Sequence, residues 1–276
     1  MKILVCTDGS PAAEKAALLL FRLAFPSGMN YTLLGVSETD GDQIHLTRSF
    51  ERIEDLFSGT ASQVTRQLRY GSPTEQIKKE SEEAEYDLIA IGASGKARGI
   101  SVFRIGTTAH KLARLLTTPL LVARAVPDKI GRVLICTGGE TSSLENVKQA
   151  GKFLANVKVE INLLHVMSQV AMRLDSPAQD LVDTAETAIE RHTREGRHLE
   201  QAVGLLRDAG VSGSIHPGLR HGLVVEEVLA ELNEGKYDLL VVGGHYHRGK
   251  SHWFEILLED ISGQLADQAP CSVLIV

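Results

Sequence analysis

Glycines, hydroxyls and cations gather in residues 92–108: Gly92-Ala93-Ser94-Gly95-Lys96, then Arg98 and Arg104, then Gly106-Thr107-Thr108. Glycine lets the backbone turn sharply and bring its N–H groups close to a ligand, and the first turn of a following helix offers unpaired donors to an anion. Thr107 and Thr108 add hydroxyl donors, and Lys96 adds charge for phosphate oxygens. The segment reads as a phosphate cradle, with solvated loop charge as the alternative for Lys96, Arg98 and Arg104. Far away in sequence, Asp8 follows the first apolar run in Thr7-Asp8-Gly9-Ser10, and Val36 closes the second. An acid there suits ribose hydroxyls and a small apolar residue suits a base. Asp8 before glycine also fits a plain turn former.

These residues need a scaffold that brings strand ends together. Short apolar runs alternate with helical patterns, the signature of a parallel sheet with covering helices. Asp87-Leu88-Ile89-Ala90-Ile91 is apolar throughout after its acid, as a central strand buried on both faces would be, and Ile91 leads directly into Gly92. In such sheets ligands collect in the crevice at the carboxyl ends of neighbouring strands, which would assemble Asp8, Val36 and the glycine loop. The first helix is predicted to begin at Ser10-Pro11 with Ala13, Ala17, Leu20, Phe21 and Ala24 on its apolar face. Ser72-Pro73-Thr74-Glu75 reads as a capping box opening another.

The chain then repeats itself. Ile3-Leu4-Val5-Cys6-Thr7 is matched by Val133-Leu134-Ile135-Cys136-Thr137, and Leu33-Leu34-Gly35-Val36 by Leu163-Leu164-His165-Val166, each pair 130 residues apart. Gly71 pairs with Gly222 and Tyr86-Asp87-Leu88 with Tyr237-Asp238-Leu239, now 151 apart, so the second copy carries 21 extra residues between Val166 and Gly222. Ser176-Pro177 is expected to start a long polar helix there, running through Glu200 and Leu206. Two domains are expected, 1–126 and 127–276, joined at Val126-Pro127-Asp128-Lys129. A chain of 276 residues is comfortable for two cores.

Composition narrows the function. With 43% hydrophobic and 23% charged residues and a net charge of -6, the chain offers no broad cationic surface, and a nucleic-acid partner is not expected. The start, Met1-Lys2-Ile3-Leu4-Val5-Cys6, reaches a turn at Asp8-Gly9 too soon for a signal peptide, and no run of about 18 apolar residues occurs, so a cytoplasmic protein without membrane contact is expected. Cys6, Cys136 and Cys271 read as small hydrophobes rather than a disulfide framework.

Two signals in the second copy compete with this reading. Gly244-His245-Tyr246-His247-Arg248-Gly249-Lys250-Ser251 satisfies the formula of a P-loop, yet only Ser272-Val273-Leu274-Ile275-Val276 remains to close a sheet after it, and the repeat makes it the counterpart of the Gly92 loop. His245 and His247, spaced for one zinc ion, with His216, His221, His252 and Glu259 or Asp260 nearby in sequence, read either as a metal site or as solvated loop imidazoles.

Taken together, the motifs resemble the universal stress protein family, as a tandem two-domain member, over nearly the whole chain. The resemblance implies an α/β fold of two Rossmann-like domains of the adenine nucleotide alpha hydrolase-like kind, each a five-stranded parallel sheet of order 3-2-1-4-5 with helices on both faces. The family places an aspartate after the first strand, the end of the second strand near adenine, and the pattern G-x2-G-x9-G-S/T on the phosphates of ATP. The matching positions are Thr7 and Asp8, Val36, Ile91 and Gly92, and Gly95, Lys96, Gly106, Thr107 and Thr108, with ten rather than nine residues between Gly95 and Gly106. ATP with Mg2+ in the N-terminal domain, nucleotide-dependent stress signalling, and pairing of the halves as an intramolecular pseudo-dimer follow as expectations; a homodimer and unknown protein partners stay open. Copy two departs, with Gly138 at the place of Asp8, Tyr246 at Gly95, and Glu259-Asp260 at Gly106-Thr107. Two carboxylates would repel a polyphosphate, so it is expected to bind no ATP. A slow ATPase or phosphotransferase, and a nucleotide-free interaction scaffold, are the competing functions.

Overall fold

The computed structural model describes residues 1–25, 28–38, 42–60, 62–93, 107–167, 184–244 and 261–276. In chain order the first half gives β1 (Lys2–Thr7), α1 (Pro11–Arg22), β2 (Asn30–Ser37), α2 (Gln43–Phe57), β3 (Gln63–Tyr70), α3 (Pro73–Glu83), β4 (Leu88–Gly92), α4 (Thr107–Leu115) and β5 (Leu120–Ala123). The second gives β6 (Arg132–Thr137), α5 (Thr141–Leu154), β7 (Glu160–Met167), α6 (Ala185–Glu190), α7 (Arg194–Asp208), β8 (Ile215–His221), α8 (Val224–Gly235), β9 (Leu239–Val242) and β10 (Ser272–Ile275). Two compact units result: residues 1–129 with 266–275, and residues 130–265 with Val276.

The first unit has the strand order β3-β2-β1-β4-β5-β10, parallel from β3 to β5. Ile3, Leu4 and Val5 of β1 and Leu88, Ile89, Ala90 and Ile91 of β4 are apolar and buried, so helices must cover both faces. The last strand of the chain, β10, lies antiparallel on β5, in the register Val273↔Val122 and Ile275↔Leu120. It satisfies the backbone groups that an edge strand would otherwise expose. Ser272 reinforces the pairing, its hydroxyl donating to the Ala125 carbonyl at 2.7 Å and accepting the Arg124 N–H at 3.1 Å. The second unit therefore keeps four strands of its own, in the order β9-β6-β7-β8 and all parallel.

Each unit clamps its scaffold with the same residues. Asp87 accepts the Lys2 N–H at 2.7 Å, and Asp238 accepts those of Gly131 and Arg132 at 2.7 and 2.9 Å, so each repeated Tyr-Asp-Leu fixes the start of a central strand. Arg69 bonds Glu80 and Glu83 while Tyr86 donates to Glu80 at 2.6 Å; Arg220 bonds Glu231 and Glu234 at 2.6 Å while Tyr237 donates to Glu231 at 2.5 Å. These charge-assisted bonds tie α3 to β3 and α8 to β8.

Local expectations fare unevenly. Ser10 caps α1, its hydroxyl accepting the Ala13 N–H at 3.3 Å, and Ala13, Ala17 and Leu20 are buried. Phe21 is 41% exposed and Ala24 lies past the helix end in a left-handed turn, because the helix stops at Arg22 and Phe21 falls at the margin of the buried arc. Ser72 stands at the N-cap of α3 without a side-chain bond, so the capping box does not close. The single long helix expected after Ser176-Pro177 is, within the described residues, two helices. Thr184 caps α6 and Thr193 caps α7, with His192 left-handed between them. Gly196 permits the tight fold-back, since a Cβ there would lie 2.1 Å from the Ala188 carbonyl oxygen. Ser176 and Pro177 themselves lie outside the described residues.

Candidate functional site

Reversal of strand order around β1 opens a crevice at the carboxyl ends of β1, β2 and β4 in the first unit, the place where parallel α/β sheets bind ligands. β1 pairs with β4 through Val5↔Ala90 and with β2 through Thr7↔Gly35, so Thr7, Asp8, Val36, Ile91 and Gly92 emerge at one edge. Thr7 is buried, its hydroxyl bonded to that of Ser49 on α2 at 2.9 Å and accepting the Gly9 N–H at 3.0 Å. Asp8 is half-buried and accepts the Ser10 N–H at 3.0 Å, which makes it the turn former that its sequence also suggested. Gly9 has φ +80°, and a Cβ there would lie 3.0 Å from the His45 backbone, so only glycine allows the passage into α1 under α2.

Val36 and Ile91 are buried and supply the apolar part of this edge. At Gly92 a Cβ would stand 2.4 Å from the Ala12 carbonyl oxygen and 2.9 Å from the Ala13 Cα. The glycine therefore serves the close approach of α1 to β4, a role separate from any ligand. Thr107 opens α4 and Thr108 follows, with no acid in the first turn, so an anion at the positive end of this helix meets no competing carboxylate from that turn. The structure thus brings Thr7, Asp8, Val36, Ile91 and Gly92 to one edge. Gly95, Lys96, Arg98, Arg104 and Gly106 lie outside the described residues, as does the Thr107 side chain.

The corresponding edge of the second unit is filled differently. Gly138 follows Thr137 where Asp8 follows Thr7, and His165 occupies the place of Gly35. His165 Nδ1 bonds the Thr137 carbonyl at 3.0 Å; His198 of α7 takes the role of Ser49, its Nε2 bonded to the Thr137 hydroxyl at 2.8 Å. The two imidazoles are buried, with ring centroids 5.8 Å apart, and burial holds the pKa of each below the ordinary imidazole value. The Thr137 carbonyl can only accept, so at 3.0 Å His165 Nδ1 donates to it. Sequence reasoning missed Ser49, His165 and His198. His165 was visible as the odd residue in an otherwise apolar repeat, whereas Ser49 and His198 sit in helices whose register the insertion obscures.

Other expectations meet mixed results. His216 and His221 both lie on β8, and both ring nitrogens of His221 are buried without a hydrogen-bond partner among the described residues. Among the described residues no three His, Cys, Asp or Glu side chains are grouped to hold a metal. His245, Tyr246, His247, His252, Glu259 and Asp260 lie outside them, and so does most of the P-loop formula. Cys6 and Cys271 are buried and Cys136 is half-buried, and burial raises the Cys6 thiol pKa far above the ordinary range. No helix among the described residues is long and apolar enough to cross a membrane.

A family model described as the universal stress protein family matches the chain twice, over residues 1–124 and 129–276. Among solved structures, a universal stress protein from Archaeoglobus fulgidus DSM 4304 is similar at 19% identity and a TM-score of 0.65, over 99% of this chain and 97% of that one. A candidate universal stress protein from Pseudomonas aeruginosa UCBPP-PA14 is similar at 15% identity and a TM-score of 0.61, over 100% of this chain and 92% of that one. Likeness at these identities establishes the fold. No curated protein sequence matches at a significant level.

Proposed function

Because the chain belongs to the universal stress protein family, whose model covers both of its halves, we propose that the N-terminal domain binds ATP and the C-terminal domain does not. The domains are taken as residues 1–126 and 127–276, with β10 lent by the second to the sheet of the first. The observation that carries the reading is the contrast between two equivalent edges. Asp8 stands beside Val36 and Gly92 in one, while Gly138 and the buried His165 stand in the other.

In the first domain the Asp8 carboxylate is placed for ribose hydroxyls, Val36 and Ile91 for the base, and the opening turn of α4 for phosphate oxygens. The donor set suits a nucleotide, because it combines one acid, an apolar wall and an acid-free helix start. Gly95, Lys96 and Gly106 belong to the same phosphate site by motif. Asp8 already holds the turn through Ser10, so Mg2+ is better served by the phosphates it arrives with than by a protein cage. Glu259 and Asp260, at the place of the phosphate-binding Gly106 and Thr107, repel polyphosphate in the second domain.

Such a domain acts as a nucleotide-dependent switch in a cytoplasmic stress response, ATP shifting which surface is shown to protein partners. Titration of Mg-ATP into the full chain by calorimetry is expected to give one site per chain. Asp8→Ala should weaken it by about 10- to 100-fold, the worth of a hydrogen bond to a charged group. Two equal sites, or an unaltered Asp8→Ala variant, would overturn the assignment.

A further inference from the structure

One face of α2 meets the turn between β1 and α1 at three points. His45, Ser49 and Arg52 stand at i, i+4 and i+7, one side of a helix. Against the His45 backbone lies Gly9, whose φ of +80° and missing side chain admit an approach that a Cβ would bring to 3.0 Å. Ser49 bonds the Thr7 hydroxyl at 2.9 Å, and Arg52 pairs with Glu14 of α1 through Nε at 3.0 Å. Asp8 lies between Thr7 and Gly9, so each contact falls on a residue beside it or on the helix it leads into.

Ser49 is the odd residue in its own surroundings. It is fully buried on the helix face that also buries Leu46, Phe50 and Ile53. A hydroxyl in such a face costs free energy unless it is bonded, and alanine is the better helix former. Among the described residues its one hydrogen bond is to Thr7. Thr7, also buried, in turn accepts the Gly9 N–H at 3.0 Å, while Asp8 accepts the Ser10 N–H at 3.0 Å. Two side-chain bonds therefore shape the turn in which Asp8 sits, and Ser49 holds one of them from behind. Leu46 and Phe50 seat the helix, since both reach the space that a Cβ of Gly35 would take, and Gly35 is the β2 partner of Thr7.

The second unit keeps the threonine and changes what holds it. Ser49 and His198 fix the correspondence between α2 and α7, since each bonds the hydroxyl of the equivalent threonine. In that register Leu144 replaces Glu14 and Gln201 replaces Arg52, while His165 stands in place of Gly35. Where the acid gives way to Gly138, the serine and the ion pair are gone with it. The hydroxyl pair and Asp8 thus belong to the same unit.

Building on the assignment of Asp8 to the ribose hydroxyls, we propose that Ser49 is a positioning residue for the Asp8 carboxylate, and that the Ser49–Thr7 pair sets the preference of the crevice for a sugar carrying its 2′- and 3′-hydroxyls. Ser49 is fully buried and acts through Thr7, keeping it in the side-chain rotamer that reaches both the Gly9 N–H and α2. Without the Ser49 hydroxyl, that of Thr7 is free to turn into another staggered well. The Gly9 N–H then loses its acceptor and the Asp8 carboxylate its fixed direction. A hydrogen bond to a sugar hydroxyl is directional, so the loss falls on ribose recognition and spares the base and the phosphates, which other groups of the crevice hold.

ATP and 2′,3′-dideoxy-ATP, each with Mg2+, are the probes, titrated by calorimetry into the full chain. The parent is expected to prefer ATP. Ser49→Ala should weaken ATP about 3- to 10-fold, the worth of one hydrogen bond, and dideoxy-ATP by less than about twofold, so the preference shrinks by nearly the whole factor. Thr7→Val should do the same, and Thr7→Ser, which keeps the hydroxyl, should retain most of the preference. The Ser49→Ala/Thr7→Val double variant should bind ATP no more weakly than the poorer single variant, because both changes remove one link. In a chain carrying Asp8→Ala, Ser49→Ala should alter neither affinity. A serine that merely supports the fold would lower the melting temperature and both affinities alike. Equal loss of both nucleotides, an unaltered preference in Ser49→Ala, or a further loss on the Asp8→Ala background overturns the role of Ser49 and leaves Asp8 its ribose contact. A parent that shows no preference for ATP, or binds neither nucleotide, overturns the reading of Asp8 and the role of Ser49 with it.

Discussion

Gly92→Ala isolates a single steric demand. Gly92 does not need a left-handed backbone, so the whole effect of the added methyl comes from space. Its Cβ would lie 2.4 Å from the Ala12 carbonyl oxygen, 2.7 Å from the Ala12 carbonyl carbon and 2.9 Å from the Ala13 Cα, all rigid backbone in the first turn of α1. A carbon and an oxygen need more than about 3 Å, so α1 must retreat by roughly 1 Å or β4 must bend. Overpacking of this kind costs about 1–3 kcal/mol, and a retreat of α1 carries the Ser10 cap and the Asp8 turn with it. A melting temperature about 2–10 °C lower is expected. ATP affinity should fall about tenfold or more, because the ligand acid is displaced from β4. Gly28→Ala serves as the control, having positive φ and nothing within 4 Å; it should lower stability slightly and leave ATP binding alone. Parent-like melting and parent-like ATP affinity of Gly92→Ala would refute the packing argument, and equal effects from both variants would show that space is not the cause.

Further outcomes follow from the clamps and the imidazoles. Glu80→Ala removes a buried carboxylate shared by Arg69 and Tyr86 and should destabilise the first unit by about 3 kcal/mol in urea unfolding; a loss below about 1 kcal/mol contradicts its role. Glu231→Ala, whose side chain is 17% exposed against 5% for Glu80, should cost less in the second unit. His165 and His198 have pKa values lowered by burial, so the unfolded chain takes up their protons first and stability is lost as pH falls below the unfolded value of about 6.5. Protection factors of the α7 amides, which correct for the slower intrinsic exchange at low pH, should accordingly fall between pH 7.5 and 5.5, and unchanged protection would show that the pair is not buried neutral. Phosphate release from Mg-ATP should stay at trace level, since no base is tied by motif to the phosphate cradle; turnover abolished by Asp8→Ala would establish an ATPase instead.

Legibility in the sequence differs by the kind of residue. The parallel sheet and the duplication were readable because buried strands must be apolar and the copies keep their spacing, whereas the order of β1 to β5 came only with the family resemblance. The placement of β10 on β5 was not, since an apolar C-terminal run says that a strand is buried without saying whose edge it covers. The break at His192 was hidden for a similar reason: helical periodicity runs through Arg194 to Leu206, and the left-handed residue has no side chain that announces it. At the site, Asp8 and Gly92 were legible by motif, yet their immediate duties, an Asx turn and a close helix approach, appear only with coordinates.

The duplication itself separates frame from function. Asp87 and Asp238, Tyr86 and Tyr237, Arg69 and Arg220, Glu80 and Glu231, and Glu83 and Glu234 are identical pairs, and each performs the same bond in its unit. The Tyr and Asp pairs act at strand starts, whereas Arg69 and Arg220 stand near the carboxyl ends of β3 and β8, Arg69 in register with Val36, and reach the helix that follows. Around the carboxyl ends of β1 and β6 the pairs differ in kind: Asp8 with Gly138, Gly35 with His165, Ser49 with His198, Glu14 with Leu144 and Arg52 with Gln201. The replacements are also mutually consistent, since His198 takes over the threonine bond of Ser49 and the ion pair of Glu14 and Arg52 is lost as a unit. A second domain that merely decayed would show orphaned members of such pairs. This one has exchanged the threonine's partner and lost the ion pair as a whole, so its edge is packed in its own way.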